Sequence, residues 1–153
     1  MRMTAMQLAE YTIRKARDRE VPITNLKLQK TLYYIQGYVL RVFGEPAFDE
    51  TICHWQYGPV VPMVYFAYST NGAEPLTADE DMVIPALRKD FKKLCDKVIE
   101  KCLEMTARKL VDKTHGESPW LNTNEREVIT HSEIERYFCE KNPLDIDLDD
   151  NNE

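Results

Sequence analysis

The stretch between Thr24 and Gly44 limits what this chain can fold into more than any other. Leu28, Leu32, Ile35 and Val39 recur at helical spacing, and Leu32, Gln36, Leu40 and Phe43 form a second stripe beside them. The two stripes make an apolar face too wide for a surface helix, so the helix over about 25–43 has to be enclosed by the rest of the domain. Thr24 supplies its N-cap and Gly44 its C-terminal stop. Gly37 sits in mid-helix, where glycine costs ~1 kcal/mol relative to alanine. That position predicts a neighbour packed where a side chain would clash. Lys27, Lys30, Tyr34, Gly37 and Arg41 mark the opposite edge. Adjacent helical residues point ~100° apart, so Tyr33 is expected in the core and Tyr34 on a partly exposed edge.

The flanking segments supply that enclosure. Thr4 with Gln7 forms a capping box for a first helix that ends before Val21-Pro22. Residues 47–57 read as a short strand or extended segment, and Tyr57-Gly58-Pro59 as a turn. Pro62 opens a short helix to Ser69 that is apolar almost all round, and is therefore buried or covered by a partner. Met82-Val83-Ile84 reads as a short strand, and Pro85 as the start of a helix over about 86–102. Thr106 caps a further helix to about Lys113, and Ser132 caps a last one through Phe138. His115–Trp120 breaks the pattern. The expected fold class is mainly α, a compact helical domain around the long central helix, with a small β element near residues 47–57. The domain spans 1–140, and 141–153 is expected to be a disordered acidic tail, dispensable for folding.

Charge and cysteine usage exclude several functions. The net charge of −6 on 153 residues is concentrated at the end. Residues 140–153 carry −5, and the remaining 139 carry −1. A nearly neutral body does not favour nucleic-acid binding, which depends on clustered Lys and Arg. The segment 86–113 holds nine basic and five acidic residues, but interspersed signs mark a solvated face. No apolar run reaches the ~18 residues of a membrane span. Met1-Arg2-Met3-Thr4 has no apolar signal region, so the expected location is cytoplasmic. Cys53, Cys95, Cys102 and Cys139 show no CxxC spacing and are expected as reduced thiols. His54, His115 and His131 lack paired metal-ligand spacing. His115 with Glu117 could form an acid–base pair, but a histidine just past a helix end more often bonds free carbonyls. No catalytic residue, metal site or cofactor is assigned, and the chain is not expected to be an enzyme.

Three stretches remain: Lys27–Gly37, Trp55–Pro62 (WQYGPVVP) and Thr114–Trp120 (THGESPW). In this order, over about residues 6–138, they resemble the motifs of the Panacea domain family, the SocA-like antitoxins and GepA-type phage-associated proteins. Thr31 departs from the leucine usual there, and the acidic tail has no counterpart in the motifs. The resemblance implies an antitoxin that neutralises a cognate toxin from a neighbouring gene by direct protein contact. It also implies, for some relatives, a role as protease adaptor, with a cytoplasmic protease as second partner. The alternative is a phage or mobile-element regulator binding another host protein. Candidate partner-contact residues from the three stretches are Lys27, Lys30, Tyr34, Trp55, Tyr57, Val60, His115 and Trp120.

Overall fold

The structure, a computed structural model, describes residues 3–148. Helix α1 (Ala5–Asp18) opens with the expected capping box, the Thr4 hydroxyl accepting from the Gln7 N–H and the Gln7 side chain accepting from that of Thr4. Helix α2 (Asn25–Phe43) starts at the Thr24 cap and stops at Gly44, which takes the left-handed conformation at φ 72°. Its residues from Lys27 to Leu40 are all buried. A hairpin follows, β1 (Ile52–Trp55) and β2 (Gly58–Val60), and then the short helix α3 (Pro62–Ala67). Helices α4 (Lys89–Leu103) and α5 (Ala107–His115) come next. The single turn α6 (Ser118–Leu121), the strand β3 (Val128–Ile129) and α7 (His131–Glu140) complete the described elements. The protein is mainly helical, and α1, α3, α4, α5, α7 and β2 all pack against α2.

The β element is larger than expected. Strand β3 pairs antiparallel with β1, Ile52 opposite Ile129, giving the order β2-β1-β3. Two residues are too few to show an alternating pattern. Met82–Ile84 is not a strand: among the described residues no strand pairs with it, and Val83 is 80% exposed. Helix α4 begins at Lys89, three residues later than expected: Pro85–Leu87 lie outside any helix or strand, and Arg88, in an extended conformation, is the N-cap. The cap of α7 is Thr130, whose hydroxyl accepts from the Glu133 N–H, so the helix begins one residue before Ser132.

Gly37 has the neighbour its position demanded. A Cβ there would lie 2.3 Å from the Phe138 ring, which α7 lays against α2. Tyr33, Tyr34 and Tyr38 present their rings edge-on to the same phenylalanine.

The described part of the acidic tail, as far as Leu148, is not solvated as expected. Leu144 and Ile146 are each only 4% exposed. The buried Tyr38 hydroxyl donates to Asn142 Oδ1 at 2.5 Å and accepts from the Leu144 N–H at 2.9 Å. Asn142 also pairs with both backbone groups of Ile146. Aspartates alternating with aliphatic residues are what a strap needs, one side in water and the other on the core. Asp149 to Glu153 lie outside the described residues.

Two stability changes follow. Ending the chain at Lys141 re-exposes two side chains worth ~1.5–3 kcal/mol each. Chemical denaturation should show a loss of about 3 kcal/mol or more, and the Tm should fall by roughly 6–12 °C. Gly37→Ala should destabilise by about 2 kcal/mol despite alanine's better helix propensity, because the added methyl meets an aromatic ring. A variant as stable as the parent would mean that Phe138 can withdraw.

Candidate binding groove

The polar residues of α2 from Asn25 to Gln36 are buried, which corrects the expectation for Lys27, Lys30 and Tyr34. Lys27 is 7% exposed and Lys30 and Tyr34 are 0% exposed. Helical periodicity assigns polar residues to the outside, but here each reaches a polar group of another segment. The Lys27 ammonium donates to the Leu103 carbonyl at 3.1 Å, at the end of α4. Lys30 donates to the Pro59 carbonyl in β2 at 2.9 Å. Gln29 accepts from the Val61 N–H, and Asn25 donates to the Tyr65 carbonyl in α3. Gln36 spans residues 47–48, accepting from Ala47 and donating to Phe48. A buried polar group without a partner costs roughly 1–3 kcal/mol, so each of these side chains holds one loop in one place.

Tyr33 and Tyr34 converge on Glu117, donating to its two carboxylate oxygens at 2.9 and 2.7 Å. Burial raises the pKa of Glu117 to about 7, against the two tyrosine hydrogen bonds that favour the carboxylate. Burial also lowers that of Lys30 to about 7. Both tyrosines are raised, first by burial and then by the adjacent carboxylate. Gly58 seals this region, at φ 113° with its Cα side against Thr114 Oγ1 and Lys30 Cε; a Cβ would meet them at 2.7 and 3.0 Å. Among the described residues no hydrogen bond joins His115 to Glu117. Glu117 turns in to the tyrosines, and His115 bonds the Gln56 carbonyl at 3.1 Å.

His115 and Trp120 brace the hairpin from behind. The Trp120 ring lies between His54 and His115, with ring centres 4.0 and 4.3 Å away. Its indole N–H donates to the Trp55 carbonyl at 3.0 Å, and its own carbonyl bonds His54 Nδ1 at 2.8 Å.

In front of the hairpin lies a groove of about 560 Å³, the size range of a ligand or peptide site. Trp55, Tyr65 and Phe66 meet there, their ring centres 5.2 to 5.7 Å apart. Trp55 is half-buried, Val60 is buried in the wall, and Tyr57 and Phe66 are 57% and 63% exposed. Of the expected contact residues, Trp55, Tyr57 and Val60 come together here. His115 and Trp120 stand behind them, and Lys27, Lys30 and Tyr34 lie beneath. Sequence reasoning missed Tyr65, Phe66 and Arg126 as groove residues. The all-round apolar character of α3 was the available signal for the first two. Arg126 lines the groove from the turn before β3 in a left-handed conformation at φ 68°. Pairing with β1 fixes that geometry, since the Arg126 N–H donates to the His54 carbonyl and the His54 N–H to that of Glu127. A non-glycine residue held so stores on the order of 1–3 kcal/mol.

Comparison with known proteins assigns the chain to a family. The sequence profile described as "Antitoxin SocA-like, Panacea domain" matches residues 28–121, from α2 through α6. The chain is similar to Antitoxin SocA of Caulobacter vibrioides (strain NA1000 / CB15N), 31% identical over 127 residues, covering 76% of this chain and 68% of that protein. No solved structure matches.

The buried carboxyl gives a pH prediction. Between its ordinary value of 4.5 and about 7, Glu117 keeps its proton in the folded state and loses it in the unfolded chain. The folded state then binds more protons, so this group's contribution to stability falls as pH rises through that interval. Lys30 acts in the opposite sense from about 7 to 10.5, where only the unfolded chain is protonated. Relative to Glu117→Gln, the wild type should lose up to about 3 kcal/mol between pH 4.5 and 7. Parallel urea titrations check this; identical pH slopes for the two proteins would show that Glu117 stays ionised.

Proposed function

This chain belongs to the Panacea-domain family of SocA-like antitoxins, and from that premise we propose that it neutralises a toxin from a neighbouring gene by binding it through the aromatic groove. The observation that carries this reading is the exposure of Tyr57 and Phe66 beside Trp55, on walls held in place by the hydrogen bonds that Val61 donates to Gln29 and Asn25 donates to Tyr65. Large aromatic side chains on a preorganised surface are the usual anchors of protein interfaces, because they bury much area for little lost freedom. The toxin is met in the cytoplasm, where both proteins are made. The same contact serves two outcomes, direct block of the toxin and its presentation to a protease, with this chain as the adaptor.

The test is co-expression with the product of the adjacent reading frame. Phe66 is exposed enough for Phe66→Asp to leave the Tm within a few degrees. Loss of an interface anchor typically costs ≥ ~2 kcal/mol, so toxin affinity should drop roughly 30-fold and neutralisation should fail. Full neutralisation by Phe66→Asp and Tyr57→Asp alike would remove the groove from the interface.

A further inference from the structure

We propose that the groove takes a short toxin segment in which a bulky apolar side chain stands next to a carboxylate, the first lodging against Trp55 and Phe66 and the second pairing with Arg126. This rests on the toxin-binding reading above and adds the chemistry of what is bound.

Two features of the groove set that chemistry. Its interior is apolar and aromatic, and the amides that line it, Asn25 and Gln29, are already bonded to each other and to the Tyr65 carbonyl and Val61 N–H. A polar group pushed to that depth would give up water for little return, so the inserted side chain is apolar. The rim is different. The Arg126 side chain is exposed and makes no hydrogen bond or ion pair among the described residues, although Arg17, Arg19, Arg88 and Arg136 all have carboxylate partners. It occupies a left-handed position that glycine or asparagine fills with less strain. The backbone there does not call for arginine, whereas a planar guanidinium at the rim of an apolar groove suits a carboxylate bound in the fork. Glu125 lines the same groove and repels an acid, which leaves Arg126 as the lining residue with which an acid can pair.

The probe is a randomised linear-peptide display library panned on the full chain, with affinities of the selected peptides measured by fluorescence anisotropy. Selected peptides should place Asp or Glu within two residues of Leu, Ile, Phe or Trp, and replacing that acid by Asn or Gln should weaken binding at least tenfold. Arg126→Glu should weaken it by at least as much, and a lysine at the acidic peptide position should recover binding to that variant. Arg126→Gly separates contact from folding: its Tm should equal or exceed the parent's, because strain is relieved, while peptide affinity falls. Selection of peptides without an acid, affinity unchanged in Arg126→Glu, or no selection at all overturns the proposal. Self-association of the chain that disappears in Phe66→Asp does so too, since the occupant is then a second copy. If the toxin binds wild type and Arg126→Glu equally while Phe66→Asp abolishes binding, the antitoxin reading stands and only the acidic half of this inference falls.

Discussion

Everything around the central helix depends on polar side chains that it buries. Asn25, Lys27, Gln29, Lys30 and Gln36 each leave α2 to bond a backbone group of another segment. The net gain per bond is modest, ~1 kcal/mol, but the penalty for leaving either partner dry and unpaired is larger. Apolar contacts could hold the same loops near α2 while letting them slide. A hydrogen bond to one carbonyl, with water excluded, fixes one register. For β2 and α3, which carry the walls of the groove, that register decides whether Trp55, Tyr65 and Phe66 meet.

This division of labour separates the frame of the domain from the surface of its groove. The motif of α2 lies beneath the surface and builds the frame. The side chains with free area, Tyr57, Phe66 and Arg126, sit on a turn, a one-and-a-half-turn helix and a loop. They lie outside the network of buried hydrogen bonds made by α2. Trp55 stands at the junction, its carbonyl held by Trp120 and its ring in the groove.

Helix α2 was legible in the sequence because its length, caps and wide apolar face all agree. Thr4, Thr24 and Thr106 mark helix starts by a chemistry that needs no tertiary context, and each cap is present. Gly37 predicted a close neighbour, but nothing local could name Phe138, about 100 residues away. Lys27, Lys30 and Tyr34 were misread for a physical reason. Periodicity sorts residues by polarity, and a polar residue with a buried partner looks the same in sequence as one in water. The tail misled in the same way, since its charges face out while Leu144 and Ile146 face in. Arg126 was beyond reach: its left-handed backbone results from the pairing of β1 with the loop before β3.

The two halves of α2 hold opposite ends of the molecule, and this determines what binding has to reorganise. The N-terminal half, through Asn25, Gln29 and Lys30, secures the hairpin and α3. The C-terminal half, through Tyr38 and Arg41, secures α7 and the strap at 142–146. Between them, Tyr33 and Tyr34 tie the start of α6 to the same helix through Glu117, and from α6 Trp120 reaches back to the hairpin. The groove is thus closed on its inner side by a loop of contacts that returns to α2 by two routes. A surface fixed in this way has little left to order when a partner arrives, so most of the apolar contact made there is retained as affinity. Behind the hairpin the space is already filled, Lys30 and Thr114 packing against Gly58 and the Trp120 ring lying between His54 and His115. The molecule as it stands keeps the Tyr57 and Phe66 rings in water, at the edge of a frame whose buried side is fully packed.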